Sequence, residues 1–143
     1  MRIYMDNCCF NRPFDDQTLL RIRIETEAKL YVQELLRQKA IELAWSYVLD
    51  FENDANPFKE RREAVESWRT LSVVDVDERP EVVQLADRYT LFGLHPRDSL
   101  HIACAVVADC DAFLTTDRKL LAKHHQIAEI RLIDPPAFLR EMT

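Results

Sequence analysis

Four acidic residues carry the pattern that points most directly to chemistry: Asp6, Glu52, Asp98 and Asp117. Asp6 directly follows the apolar run Ile3-Tyr4-Met5, and Asp117 comes just past Ala112-Phe113-Leu114-Thr115. Asp98 opens a long apolar stretch, and Glu52 lies on the segment that follows Ile41-Glu42-Leu43-Ala44-Trp45. Taken singly, Asp98 and Asp117 also suit helix N-caps, Glu52 a solvated helix face and Asp6 the start of a turn. Taken together, they fall at one edge if the apolar runs are parallel strands. Carboxylates crowded there repel one another, and burial makes their ionisation costlier. A hard divalent cation with oxygen ligands relieves both penalties, so the expected site is one for Mg²⁺ or Mn²⁺. Such an ion activates water and polarises a phosphodiester.

The charge balance sharpens this expectation. A net charge of −6 and a pI near 5.2 argue against a protein that coats nucleic acid through general basicity. A phosphate would have to be received by a cation or by local basic residues, for which Arg12, Arg97, Arg118 and Lys119 flank the acids. The single glycine, Gly93, excludes a Gly-rich phosphate cradle. Cys8, Cys9, Cys104 and Cys110 show no zinc spacing. Cys104, in an apolar run, reads as a small buried hydrophobe. No apolar stretch approaches the roughly 20 residues needed to cross a bilayer, and Asp6 comes too early for a signal peptide. A cytoplasmic protein without membrane contact is expected.

Elements that position the acids follow from periodicity. Residues 2–5, 41–45, 71–76, 112–115 and 131–133 are short apolar strands. A loop containing Asn11-Arg12-Pro13 follows Asp6. Leu19, Ile22, Leu30, Leu35 and Leu36 recur at helical spacing across residues 18–38. Ser46 caps a helix carrying Glu52, residues 58–70 form a charged helix, and Pro80 starts another that Gly93 ends. Residues 98–109 form a buried helix with Asp98 at its head, and a small helix closes the chain. Strands alternating with helices over residues 1–143 give one α/β domain with a mainly parallel sheet of about five strands. In such sheets ligands bind outside the carboxyl ends of the strands, at a switch point.

At these residues the chain resembles the PIN-domain nucleases, and the resemblance runs over nearly its whole length. IYMDNCCF is similar to the family's opening strand with its first acid, Asp6. SYVLDFE resembles the segment in which a serine precedes the second acid by six residues, selecting Glu52, with Asp50 the alternative. RDSLHIACAVVADCDAFLTTD is similar to the third acid heading a buried helix, then a strand and a T-x-D ending, giving Asp98, Thr115 and Asp117. Asn7 stands where the family frequently has threonine. The resemblance implies a Rossmann-like three-layer α/β/α sandwich, Mg²⁺ or Mn²⁺ dependence and cleavage of single-stranded RNA. Asp6, Asp98 and Asp117 would hold metal directly or through water, Glu52 would ligate it or position water, and Thr115 would support the cluster. For small prokaryotic members of the VapC-like type it further implies a toxin with a cognate antitoxin protein, commonly a homodimer.

Other readings remain open. His101 shares a helix face with Asp98 and reads as a satisfied helix histidine or as a group orienting a carboxylate. His124-His125 complement a helix end, and Trp45 and Trp68 read as core or an oligomer surface. As a binding module, the domain would be catalytically inactive and act through residues 18–38. As an aspartyl phosphatase, Asp6 would be the nucleophile, but Cys8 stands where a second aspartate is usual.

Overall fold

A computed structural model describes residues 1–142. The strands are β1 (Arg2–Met5), β2 (Glu42–Ser46), β3 (Ser72–Val76), β4 (Ala112–Leu114) and β5 (Arg131–Ile133). They form one sheet of order β3-β2-β1-β4-β5 in which every pairing is parallel. Parallel strands need helical crossovers that cover both faces, which is why Ile3, Tyr4, Met5, Leu43, Ala44 and Trp45 are all completely buried. The helices are α1 (Asn7–Asn11), α2 (Leu20–Arg37), α3 (Tyr47–Asp54), α4 (Lys59–Ser67), α5 (Pro80–Thr90), α6 (Pro96–Val107), α7 (Arg118–Leu121) and α8 (Pro135–Met142). No described helix is long and apolar enough to cross a membrane.

Alternation along the strands separates two cores. Tyr4 and its register partner Phe113 face α6, their rings stacked at 5.4 Å, with Tyr4 edge-on to His101 at 5.6 Å. The residues between point the other way, where Trp45 meets Phe10 of α1 at 5.3 Å. The result is an α/β/α sandwich. β1 lies at the centre, and the chain leaves it toward β2 and β3 before returning to β4 on its other side. The gap between β1 and β4 is therefore the switch point.

Three local expectations are corrected. The loop expected after Asp6, containing Asn11-Arg12-Pro13, is α1 followed by a 3₁₀ turn over Arg12–Phe14. Asp98 is not the cap of its helix: α6 starts earlier, with Pro96 in its first turn and the His95 side chain accepting from Arg97 N–H. Over residues 18–38 the helix is there, but its inward face is Glu25, Thr26, Ala28, Lys29, Val32, Gln33 and Leu36. Leu19, Leu20, Ile24, Leu30 and Tyr31 are left exposed.

Lys29 is the least expected member of that inward face. Its Nζ donates to the Phe10 carbonyl at 3.4 Å and lies 5.8 Å and 6.0 Å from the Phe10 and Trp68 rings. Burial lowers its pKa from 10.5 to about 8. A cation whose folded pKa is depressed penalises folding below pH 8, and the penalty fades as pH rises toward 10.5. Lys29→Met is therefore expected to stabilise the chain by about 2 kcal/mol at pH 7. Denaturant melts at pH 7 and pH 10 check this, and an equal gain at both values would refute it.

Candidate active site

Each acid owes its place to the strand or helix that precedes it. β1 ends directly at Asp6, whose Oδ1 accepts from Asn7 N–H at 2.8 Å and so caps α1. Its Oδ2 accepts from Thr115 Oγ1 at 3.0 Å across the switch point. Thr115, fully buried just past β4, also accepts from Asp117 N–H at 3.1 Å. One hydroxyl thus ties the first acid to the backbone of the fourth. Asp117 caps α7, its Oδ1 accepting from Lys119 and Leu120 N–H. Its capping role and its place in the cluster coexist.

Asp98 sits in the first turn of α6. Burial first, and then the negative charges of Asp6 and Asp117, push its carboxyl up to about 6, partly offset by His101 and His95. These acids therefore feel one another across a shared cleft. Among the described residues Asp98 makes no side-chain hydrogen bond, and no three His, Cys, Asp or Glu side chains close into a direct metal cage.

Glu52 reaches the same cleft through a partner that sequence reasoning left ambiguous. His101, 1% exposed on α6, hydrogen-bonds Glu52 Oε1 through Nε2, which also lies 3.9 Å from Asp6 Oδ1. Its Nδ1 meets Tyr4 Oη at 2.6 Å, and Tyr4 Oη meets Ser46 Oγ at 2.6 Å. Ser46 in turn accepts from Leu49 N–H at the start of α3. With Glu52 ionised and His101 neutral, the chain is satisfied when Ser46 donates to Tyr4, Tyr4 to Nδ1, and Nε2–H to Glu52. Burial, the first cause, holds the Tyr4 hydroxyl well above its usual pKa, keeping it a neutral donor. The helical offset between His101 and Asp98 was the one available signal, because Glu52 is remote in sequence.

Asp50 does not join the cleft; its carboxylate accepts from Trp45 Nε1 at 2.9 Å and lies 3.8 Å from Arg69. Glu52 is the acid that faces His101. Of the basic residues, Arg12 is engaged by Glu25 and Asp15 at 2.8 Å and 3.0 Å. Arg97 Nε stands 4.0 Å from Glu52, whereas Arg118 and Lys119 lie exposed on α7 next to Asp117. Cys8 is half-buried, its thiol 3.5 Å from both Asp6 Oδ2 and Thr115 Oγ1.

Fold and cleft define a parallel α/β domain with acids gathered over its switch point. The sequence model of the PIN domain matches residues 3–126, and the chain belongs to that family, whose members are generally nucleases. In structure it is similar to VapBC2 from Rickettsia felis, solved bound to a DNA fragment from their promoter. That likeness has a TM-score of 0.57 at 12% identity, over 92% of this chain and 97% of the other. It shows the shared fold. No curated protein matches the chain.

Proposed function

We propose that the protein is a metal-dependent endoribonuclease hydrolysing phosphodiester bonds in single-stranded RNA. The observation that carries this reading is the gathering of Asp6, Asp98 and Asp117 over the switch point of a PIN domain, Thr115 joining Asp6 to Asp117. All the acids offer hard oxygen donors, which fits Mg²⁺ or Mn²⁺ held by few carboxylates and otherwise through water. Asp6, Asp98 and Asp117 would hold the ion, with Glu52 at its edge. The ion would supply Lewis acidity toward the phosphate and a more acidic water.

The chain's own groups set the geometry. Thr115 and the α1 amide fix both oxygens of Asp6, so its carboxylate does not have to reorganise. His101 holds Glu52 turned inward, where it can orient water or accept a proton. Arg118 and Lys119 offer flanking phosphates a cationic edge.

The exposed Leu20, Ile24, Leu30 and Tyr31 of α2 favour a protein partner. In a toxin–antitoxin setting this would be the antitoxin, or a second copy of the chain in a homodimer. A purely binding role would leave the acidic cleft without metal. Titrating the folded protein with Mn²⁺ by calorimetry separates the readings: saturable uptake is expected, and its absence would overturn the enzymatic one. Mn²⁺-dependent cleavage of a single-stranded oligoribonucleotide, blocked by chelator, completes the test.

A further inference from the structure

We propose that Phe51 and Arg97 form a stacking subsite for one unpaired nucleobase of the RNA strand, directly beside the carboxylates. The inference rests on the ribonuclease reading above. Phe51 precedes Glu52 on α3, and the residue is 64% exposed. A lone exposed phenylalanine means little. Here, however, the Arg97 guanidinium lies 5.5 Å from the ring centroid, and its Nε is 4.0 Å from Glu52 Oε1. One arginine therefore joins an open aromatic face to an acid of the cleft.

Next to that pair is a cavity of about 430 Å³, lined by Tyr47, Val48, Phe51, His95, Pro96 and Leu100 among others. Its walls are largely apolar and aromatic, with the His95 imidazole and Arg97 guanidinium as polar edges and the Glu78 carboxylate also on its rim. That combination suits a flat aromatic ligand with polar edges and a negatively charged tether. A nucleobase on a phosphate backbone is such a ligand: its π-face stacks on phenylalanine and on guanidinium alike, without regard to sequence. The α3 helix fixes the spacing, because Phe51 and Glu52 are consecutive. The stacked base thus belongs to a nucleotide adjacent to the scissile phosphate. A base paired in a duplex cannot enter without being unstacked, so the subsite favours single strands.

Binding of a fluorescein-labelled single-stranded oligoribonucleotide to the full chain in Ca²⁺, by anisotropy, tests the subsite. An oligomer of equal length lacking its bases serves as control. Phe51→Ala is expected to weaken binding of the base-bearing strand about tenfold and to leave the abasic strand unaffected, with Phe51→Trp close to wild type. Because the ring is exposed, the variants should melt with the wild type, as circular dichroism will show. Equal loss for both strands, or no loss for either, would overturn the subsite. If the wild type binds and cleaves RNA while Phe51→Ala changes nothing, this inference alone fails. If the folded wild type neither binds nor cleaves RNA, the ribonuclease reading fails with it.

Discussion

Asp98→Asn is expected to abolish Mn²⁺-dependent RNA cleavage while leaving the metal-free protein at least as stable as the wild type. The two effects share a cause. Asp98 has its carboxyl raised from 3.8 to about 6 by burial and by the neighbouring acids. A carboxyl raised on folding contributes stability below pH 4 that is lost as pH rises through 6. At pH 8 the wild type thus carries an uncompensated charge that asparagine lacks. Asp98 is only half-buried, so solvent screening reduces the difference to about 1 kcal/mol in favour of the variant. At pH 4 the two should melt together.

Adding Mn²⁺ should reverse the order. Only the wild type gains stability by binding, in proportion to the logarithm of ion concentration over Kd. Thermal melts at pH 4 and pH 8, with and without Mn²⁺, therefore report on the cluster without recourse to activity. Wild-type cleavage by purified Asp98→Asn, free of contaminating nuclease, would sink the assignment.

The second large effect is expected at His101. His101→Ala removes the partner of both Glu52 and Tyr4 and leaves a cavity between α6 and the sheet. Loss of a buried side chain together with two hydrogen bonds should cost about 2–4 kcal/mol. Cleavage should fall about 10–100-fold even well below the new melting midpoint, since Glu52 is no longer held inward. Tyr4→Phe provides the calibration. It keeps the ring stacked on Phe113 and keeps His101 beside Glu52, losing only the hydroxyl. Its activity should drop less than that of His101→Ala. Equal activities of His101→Ala and wild type, both folded, would mean that Glu52 needs no support and has no part in the chemistry.

Strand-end acids were readable from the chain because a strand of a parallel sheet declares itself by an unbroken apolar run. That run places Asp6 and Asp117 just past strand ends, while their grouping as a site rests on the joint pattern and the family resemblance. The five-residue helix α1 was not readable: it is too short to show a period, and Asp6, not an apolar face, starts it. The true start of α6 was signalled by Pro96, but Asp98 is an equally good cap by residue type, and residue type alone does not rank the two. Glu52 is selected over Asp50 only through the serine spacing of the family resemblance; the fold adds the physical distinction, one residue turning toward His101 and the other toward Trp45. The inward face of α2 misleads for a related reason. Lys29 and Gln33 are buried there while Leu30 and Tyr31 stay outside, so apolar spacing marks a helix without saying which side faces the core.

The bond from Thr115 to Asp6 spans a sequence separation of 109 residues. Contacts of such range close late, after the loop between them has been made. During synthesis Asp6 emerges early, yet its second oxygen lacks the Thr115 hydroxyl until β4 has left the ribosome and docked beside β1. A nascent or prematurely terminated chain thus holds only a fraction of the cleft, with Asp98 and Asp117 also confined to the later part of the sequence. On the ribonuclease reading proposed above, an unfinished molecule would lack a complete site for RNA cleavage.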